Sequence, residues 1–511
     1  MKLNIKNKIL VALAISIAIF MILGCVKDLG NYDYKDQLNT AVVSNLDTIY
    51  SVQKNETLTI TPKISFTEDP VGNMEDYKLE WVSIGRKGFL PSPEVFSEGP
   101  TLRYTIGNEP LGARLFALRV TDKKTGVFKD FPFTILVSSP FYEGWMVLSE
   151  IPGNNSRLDM MSFDPLTKKY TFLNDALKAA NSALHLSGKP SFIKFFNLSG
   201  SAVPISNGSL DAILIGTSTL ATYIGADTLD LGSRFDLQYH YADGINHAIG
   251  PDAKMGDPNN TSLWIYANNN VSNFEGSQYN GKYDILNKRL VNGTVVKFKP
   301  APFVSHGNDK DLILFDEDAS EFVWYTGFYN PCIKLENGTV FNNKVDKDLL
   351  FMRRVTYDGG NTFAILKDKG KSNIHLARFT PREQISMKEL TGTLMDKADM
   401  FEISNEHGAI FYTVGSKLYQ YDIGLSQNKL MVDYGNRKIS YIKFNEFQDI
   451  FMTAEYRELT RKLIVCTYDE NNLQSSGEMI FYTVPPAGGQ ITKDFAYTGF
   501  GKIKDFTYRV R

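Results

Sequence analysis

The side chains able to carry chemistry are few and dispersed. Six histidines (His185, His240, His247, His306, His375 and His407) show no metal-ligand spacing; His240 and His247 share a polar loop but stand seven positions apart. There is no Gly-x-Ser-x-Gly elbow, no His-Glu-x-x-His, no Cys-x-x-Cys and no phosphate-cradling loop. The acidic turn Asp316-Glu317-Asp318 could be half of an acid/base pair or a calcium site, but it lacks the alternating oxygen ligands of a calcium loop and reads as a solvated hairpin tip. Cys332 and Cys466 have apolar neighbours and no local His or helix N-terminus to activate a thiolate, so they read as buried, free thiols. No catalytic residue, metal site or cofactor is expected. What remains is binding chemistry in three loops, with Tyr239, His240 and Tyr241 in the first, Phe274 and Tyr279 in the second, and Phe328 and Tyr329 in the third. Tyrosines beside Asn, Asp and Gln suit glycan or peptide capture, because a ring stacks on C–H faces while amides direct hydrogen bonds. The competing reading is that these rings pack their own loops or touch a partner protein.

One cysteine has a different chemistry. Lys2, Lys6 and Lys8 precede an apolar run from Ile9 to Leu23, which is short for a bilayer-spanning helix and has the layout of a signal peptide. The run ends in Ile22-Leu23-Gly24-Cys25, which resembles the bacterial lipobox, where cleavage before the cysteine is coupled to acylation of its thiol. Cys25 is therefore the expected lipidation site, and several acyl chains on one residue anchor stably in outer-membrane lipid. The following Cys25-Val26-Lys27-Asp28 resembles, in part, the start of surface-exported lipoproteins of the Bacteroidetes. Removing residues 1–24 takes away three lysines and no acids, so the net charge moves from −2 to −5.

The elements that must position these groups are strands. The chain has 511 residues, enough for about three ordinary domains or for one small domain and a large repeat array. Its 34 Phe, 26 Tyr and 39 Gly favour strands and turns, and a near-neutral charge offers no field for nucleic acid. After a tether over residues 25–40, residues 41–139 hold short alternating runs, among them Thr48–Val52, Thr57–Pro62, Tyr77–Val82, Arg114–Val120 and Phe131–Val137. Such spacing predicts an antiparallel immunoglobulin-like sandwich with Trp81 as its core plug. Gly30-Asn31-Tyr32-Asp33-Tyr34, Leu79-Glu80-Trp81 and Leu118-Arg119-Val120-Thr121-Asp122 together resemble the PKD-like lipoproteins of Bacteroidetes from residue 25 to about 140. That resemblance implies a place beside SusC/SusD-type outer-membrane import systems and implies no chemistry.

From residue 140 to 511 the sequence counts out hairpins. Seven apolar pairs have turn centres near 153, 218, 269, 318, 369, 415 and 460, so the intervals are about 65, 51, 49, 51, 46 and 45. A period near fifty with extra strands between hairpins predicts a β-propeller, seven blades being the best count. A helix inserted over Asn174–Gly188 would account for the long first interval, and the terminal strand Phe506–Arg511 would pair with the first blade and close the ring. The fold class is thus all-β, an immunoglobulin/PKD-like sandwich followed by a propeller. The function expected is a non-catalytic, lipid-anchored outer-membrane protein facing the cell exterior, an accessory of a SusC/SusD-type transporter that captures glycan or peptide. A propeller glycosidase or polysaccharide lyase is one alternative, and a ligand-free scaffold of the importer is another.

Overall fold

A computed structural model describes residues 39–510, apart from 198–210, 232–236, 238–240, 244–251, 257–261, 276–282, 307–310, 449–451 and the positions 55, 69–71, 88–89, 108–110, 166, 328–329, 337 and 487. The chain is all-β and divides into two compact units, one running to Leu136 and the other from Val137 onward, with the short stretch Gly107–Gly112 grouping with the second.

The first unit is built on a five-stranded antiparallel sheet in the order Ile49–Gln53, Phe128–Ser138, Gly112–Asp122, Tyr77–Lys87, Leu90–Glu98. Two ladders accompany it, Ala41–Ser44 with Lys63–Phe66 and Thr57–Ile60 with Leu102–Thr105. Trp81 lies opposite Leu118 in the sheet and is fully buried. Its indole N–H donates to the Gly99 carbonyl at 3.0 Å and its ring meets Phe133 edge-on at 5.9 Å, so the one polar atom of the plug is satisfied inside the core.

The second unit contains seven radial sheets among the described residues, taken here as blades 1 to 7. Blade 5 shows the common plan, with Lys347–Val355 innermost, then Asn361–Asp368, Ile374–Phe379 and Gln384–Leu390. The innermost strands of the others are Pro190–Asn197 in blade 2, Lys254–Met255 in blade 3, Ser305–His306 in blade 4, Met400–Ile403 in blade 6 and Lys438–Phe444 in blade 7. Blade 1 takes its innermost strand from the far end of the chain. Lys502–Arg509 pairs antiparallel with Gly144–Ile151, setting Trp145 opposite Tyr508 and Val147 opposite Phe506. The Trp145 ring stands edge-on to Tyr508 at 4.9 Å, and both are buried where blade 1 meets blade 7. Closure covers the inner edge that Gly144–Ile151 would otherwise expose.

Six of the expected turn centres, from 153 to 415, fall between paired strands. The seventh does not. Its central pair is Lys462–Tyr468 with Gly477–Thr483, joined through 469–476, while the helix Ala454–Thr460 occupies the place of the expected turn. Thr453 caps that helix by accepting the Tyr456 N–H, Met452 is outside any strand, and Ile450 and Phe451 lie outside the described residues. The helix expected over Asn174–Gly188 shrinks to one turn, Ala176–Ala179, capped by Asp175 rather than Asn174. Asn181 at φ 52° ends it, and Leu184 and Leu186 are buried without helical backbone.

A charged and aromatic cavity among the innermost strands

The innermost strands neighbour one another around the middle of the propeller. Near the ends of those of blades 5, 6 and 7 they leave a cavity of about 490 Å³, in the size range of small-molecule sites. Exposed Thr356 lies in its lining, so the space reaches solvent. Its apolar part includes the half-buried rings of Phe303, Phe351 and Tyr441; Phe303 and Phe351 meet edge-to-face at 5.6 Å. Trp264 adds an indole that fits only because residue 256 is glycine, since a Cβ there would sit 2.1 Å from the indole nitrogen.

The polar part is an ion network spread over several blades. The Arg353 guanidinium of blade 5 pairs with Glu402 of blade 6 and with Glu446, which follows the innermost strand of blade 7. Asn405 donates to the same Glu446 carboxylate at 2.9 Å, and the Ile403 N–H donates to Glu402 at 2.9 Å. Deeper, Lys194 of blade 2 pairs with Asp505 of blade 1 at 3.0 Å, with side-chain exposures of 2% and 5%. Asp505 also accepts the Ile193 N–H at 3.0 Å, so the carboxylate that balances the buried ammonium also ties blade 2 to the closing strand. Lys443 of blade 7 places its ammonium 5.6 Å from the Phe506 ring centre. Near the cavity, Lys254 of blade 3 lies 4.8 Å from the Phe303 ring centre. Lys254 as a residue is exposed, but partial desolvation lowers the pKa of its ammonium, Lys504 on the closing strand lowers it further by repulsion, and Asp252 offsets part of both.

Three of these charges interrupt apolar strands, in Phe192-Ile193-Lys194-Phe195-Phe196, Tyr441-Ile442-Lys443-Phe444 and Phe401-Glu402-Ile403. A single charge between strand hydrophobes was the available signal, and a search for catalytic spacings passes over it because the members lie in different blades.

The ring-bearing loops fare differently. Tyr241 is 4% exposed and packs on Tyr283 at 5.8 Å in the core of blades 2 and 3, so it is an interblade residue rather than a solvent-facing ring. Phe274 is a strand residue paired with Leu263. Tyr239, His240, Tyr279, Phe328 and Tyr329 lie outside the described residues, as does Cys25. Of the seven candidate residues, only Tyr241 and Phe274 therefore fall within the described part of the chain. Asp316, expected at a solvated tip, is instead fully buried and pairs with Arg289 at 2.9 Å. Cys332 and Cys466 are buried and free, and burial pushes the Cys332 thiol up to about 12. Among the described residues no group of three or more His, Cys, Asp or Glu is placed to hold a metal ion, and no helix is long and apolar enough to cross a membrane.

Residues 25–190 match the model of the PKD-like family, so the match runs past the sandwich and through blade 1. No curated protein matches the chain. Similar solved structures include a quinonprotein alcohol dehydrogenase-like protein from Bacteroides thetaiotaomicron, 13% identical with a TM-score of 0.37 over 92% of this chain and 99% of that one. A protein from Lactobacillus plantarum is 9% identical with a TM-score of 0.42, over 72% of this chain and 99% of its own. YCF48 from Cyanidioschyzon merolae is 10% identical with a TM-score of 0.31, over 64% and 96%. None of the three bears on what this chain binds.

Proposed function

We propose that this chain is a non-catalytic, lipid-anchored protein of the outer-membrane surface and an accessory binding component of a SusC/SusD-type importer, holding glycan or peptide in the propeller cavity. The observation that carries the binding role is the cavity itself, where half-buried rings and directed polar groups from several blades face one solvent-reaching space. Its two carboxylates, Glu402 and Glu446, engage a single guanidinium. Such an arrangement fixes blades and orients ligand groups; a general acid needs a carboxyl free to hold and release its proton. Support for anchoring comes from Leu23-Gly24-Cys25 behind an apolar run, and support for the importer from the PKD-like match.

The test is purification of the tagged full chain from Bacteroidetes membranes in mild detergent. A co-purifying SusC-type barrel is the expected result, and Cys25→Ser should move the chain to the soluble fraction. A clean monomer without a barrel would argue against the importer role, and release of product from a bound polymer would replace binding by catalysis.

A further inference from the structure

After the last strand of blade 3 the chain makes a hairpin outside the four-strand plan. Lys288–Val291 pairs antiparallel with Thr294–Lys297 across Asn292-Gly293, whose φ values of 49° and 80° suit a tight two-residue turn. The Cys332 N–H donates to the Lys288 carbonyl at 2.6 Å, and a parallel bridge joins Arg289 to Cys332. Together they set the hairpin beside Ile333–Lys334, the outermost strand of blade 4. The Lys288 carbonyl thus points away from Thr294–Lys297. Backbone groups alternate in direction along an antiparallel pair, so Val295 and Lys297, opposite Leu290 and Lys288, turn their N–H and C=O groups to the far side. Among the described residues no strand pairs with that side.

This edge is not blunted. The outermost strands of blades 5, 6 and 7 carry extra residues against their neighbours (Ile385, Met431, and Asp494 with Gly499), and such bulges spoil an edge as a template. Thr294-Val295-Val296-Lys297 has no bulge, no proline and no acid. An apolar row crosses the same face. Val295, Leu290 and Ile333 stand level on three neighbouring strands and are 53%, 61% and 48% exposed. Lys297 shares their face. The nearby Lys288, Lys299 and Lys334 are matched by Asp284, Glu317 and Glu321, whereas Lys297 has no acidic partner among the described residues.

We infer that Thr294–Lys297 is a docking edge to which another protein adds an extended segment as an antiparallel strand, with an acid opposite Lys297 and an apolar residue two positions later opposite Val295. The open N–H and C=O groups supply the ladder, the apolar row supplies contact area, and the acid supplies the charge that Lys297 lacks on its own chain. A second copy of this chain fits less well, since pairing the two edges would put both Lys297 side chains on one face with no acid between them. The inference is independent of the cavity.

The test is fluorescence anisotropy of the full chain with a labelled octapeptide built on the order glutamate, threonine, valine, threonine, followed by hydrogen exchange on the same mixture. The peptide should bind. It should slow exchange at the Val295 and Lys297 amides and leave the Val296 amide, already bonded within the hairpin, as it was. A peptide with lysine in place of the glutamate should bind about ten-fold more weakly. Lys297→Glu should reverse that preference. Val295→Pro removes an outward N–H and no ladder bond, and should abolish binding of both peptides. Unchanged thermal melting identifies variants that remain folded, and Lys297→Glu covers the case in which Val295→Pro distorts the hairpin. No binding at millimolar peptide, or protection falling on other strands, would overturn the inference. Equal binding of the two peptides would overturn the acidic partner. Self-association without peptide that Val295→Pro abolishes would overturn it in favour of a second copy.

Discussion

At the scale of single residues the propeller is tied by charges that would be costly alone. Arg353 is the hub, since two carboxylates from neighbouring blades converge on it. Arg353→Met should destabilise the chain by about 2 kcal/mol, mostly through the unpaired carboxylates it leaves behind. The combined Arg353→Met, Glu402→Gln, Glu446→Gln variant should recover most of that loss in chemical denaturation; no recovery would mean that guanidinium packing, not charge pairing, is what matters. Lys254 makes the opposite argument. Its pKa is lower in the folded chain than the ordinary lysine value of 10.5, so the unfolded chain binds more protons between the two. Stability therefore rises with pH through that window, and the penalty is fully present below it. Because Lys254 is exposed and Asp252 opposes the shift, solvent screening keeps the effect small: Lys254→Gln should raise the melting temperature only slightly at neutral pH, and the advantage should shrink as pH climbs toward 10.5. An advantage independent of pH would assign the effect to packing.

At the scale of strands, what the sequence made legible follows from burial. The central strands of each blade are covered on both faces, so they read as continuous apolar runs, as in Ile213-Leu214-Ile215 or Phe363-Ala364-Ile365-Leu366. That is why six turns could be located. The seventh was misplaced because Leu463–Cys466 is a true central strand whose partner lies downstream at Met479–Tyr482, whereas an apolar run upstream looked equally suitable. The cavity was legible only in hindsight. Its innermost strands are short, two residues in blades 3 and 4, and their charges acquire meaning only when blades distant in sequence meet. Tyr241 shows the reverse error, since an aromatic residue in a polar loop need not face solvent when a ladder bridge to Tyr283 draws it inward. The closing strand gives the prediction proper to this scale. Deleting residues 505–511 removes Asp505, Phe506 and Tyr508 together with their ladder to blade 1, and should lower the melting temperature by many degrees. An unchanged melting temperature would show that the ring holds without its clasp.

At the scale of the molecule, each described unit has its own core, and the cavity belongs to the second. The clasp has a further consequence for how such a chain is made. Tyr508 meets Glu143 across 365 positions, so blade 1 stays incomplete until the strand Lys502–Arg509 has been synthesised and has returned to it. Until then Gly144–Ile151 offers a bare strand edge, the kind of surface that chaperones shield and proteases sample. A frameshift or nonsense codon anywhere upstream of the last strand would therefore be read by the cell as an unfinished ring, whatever the state of the sandwich that precedes it.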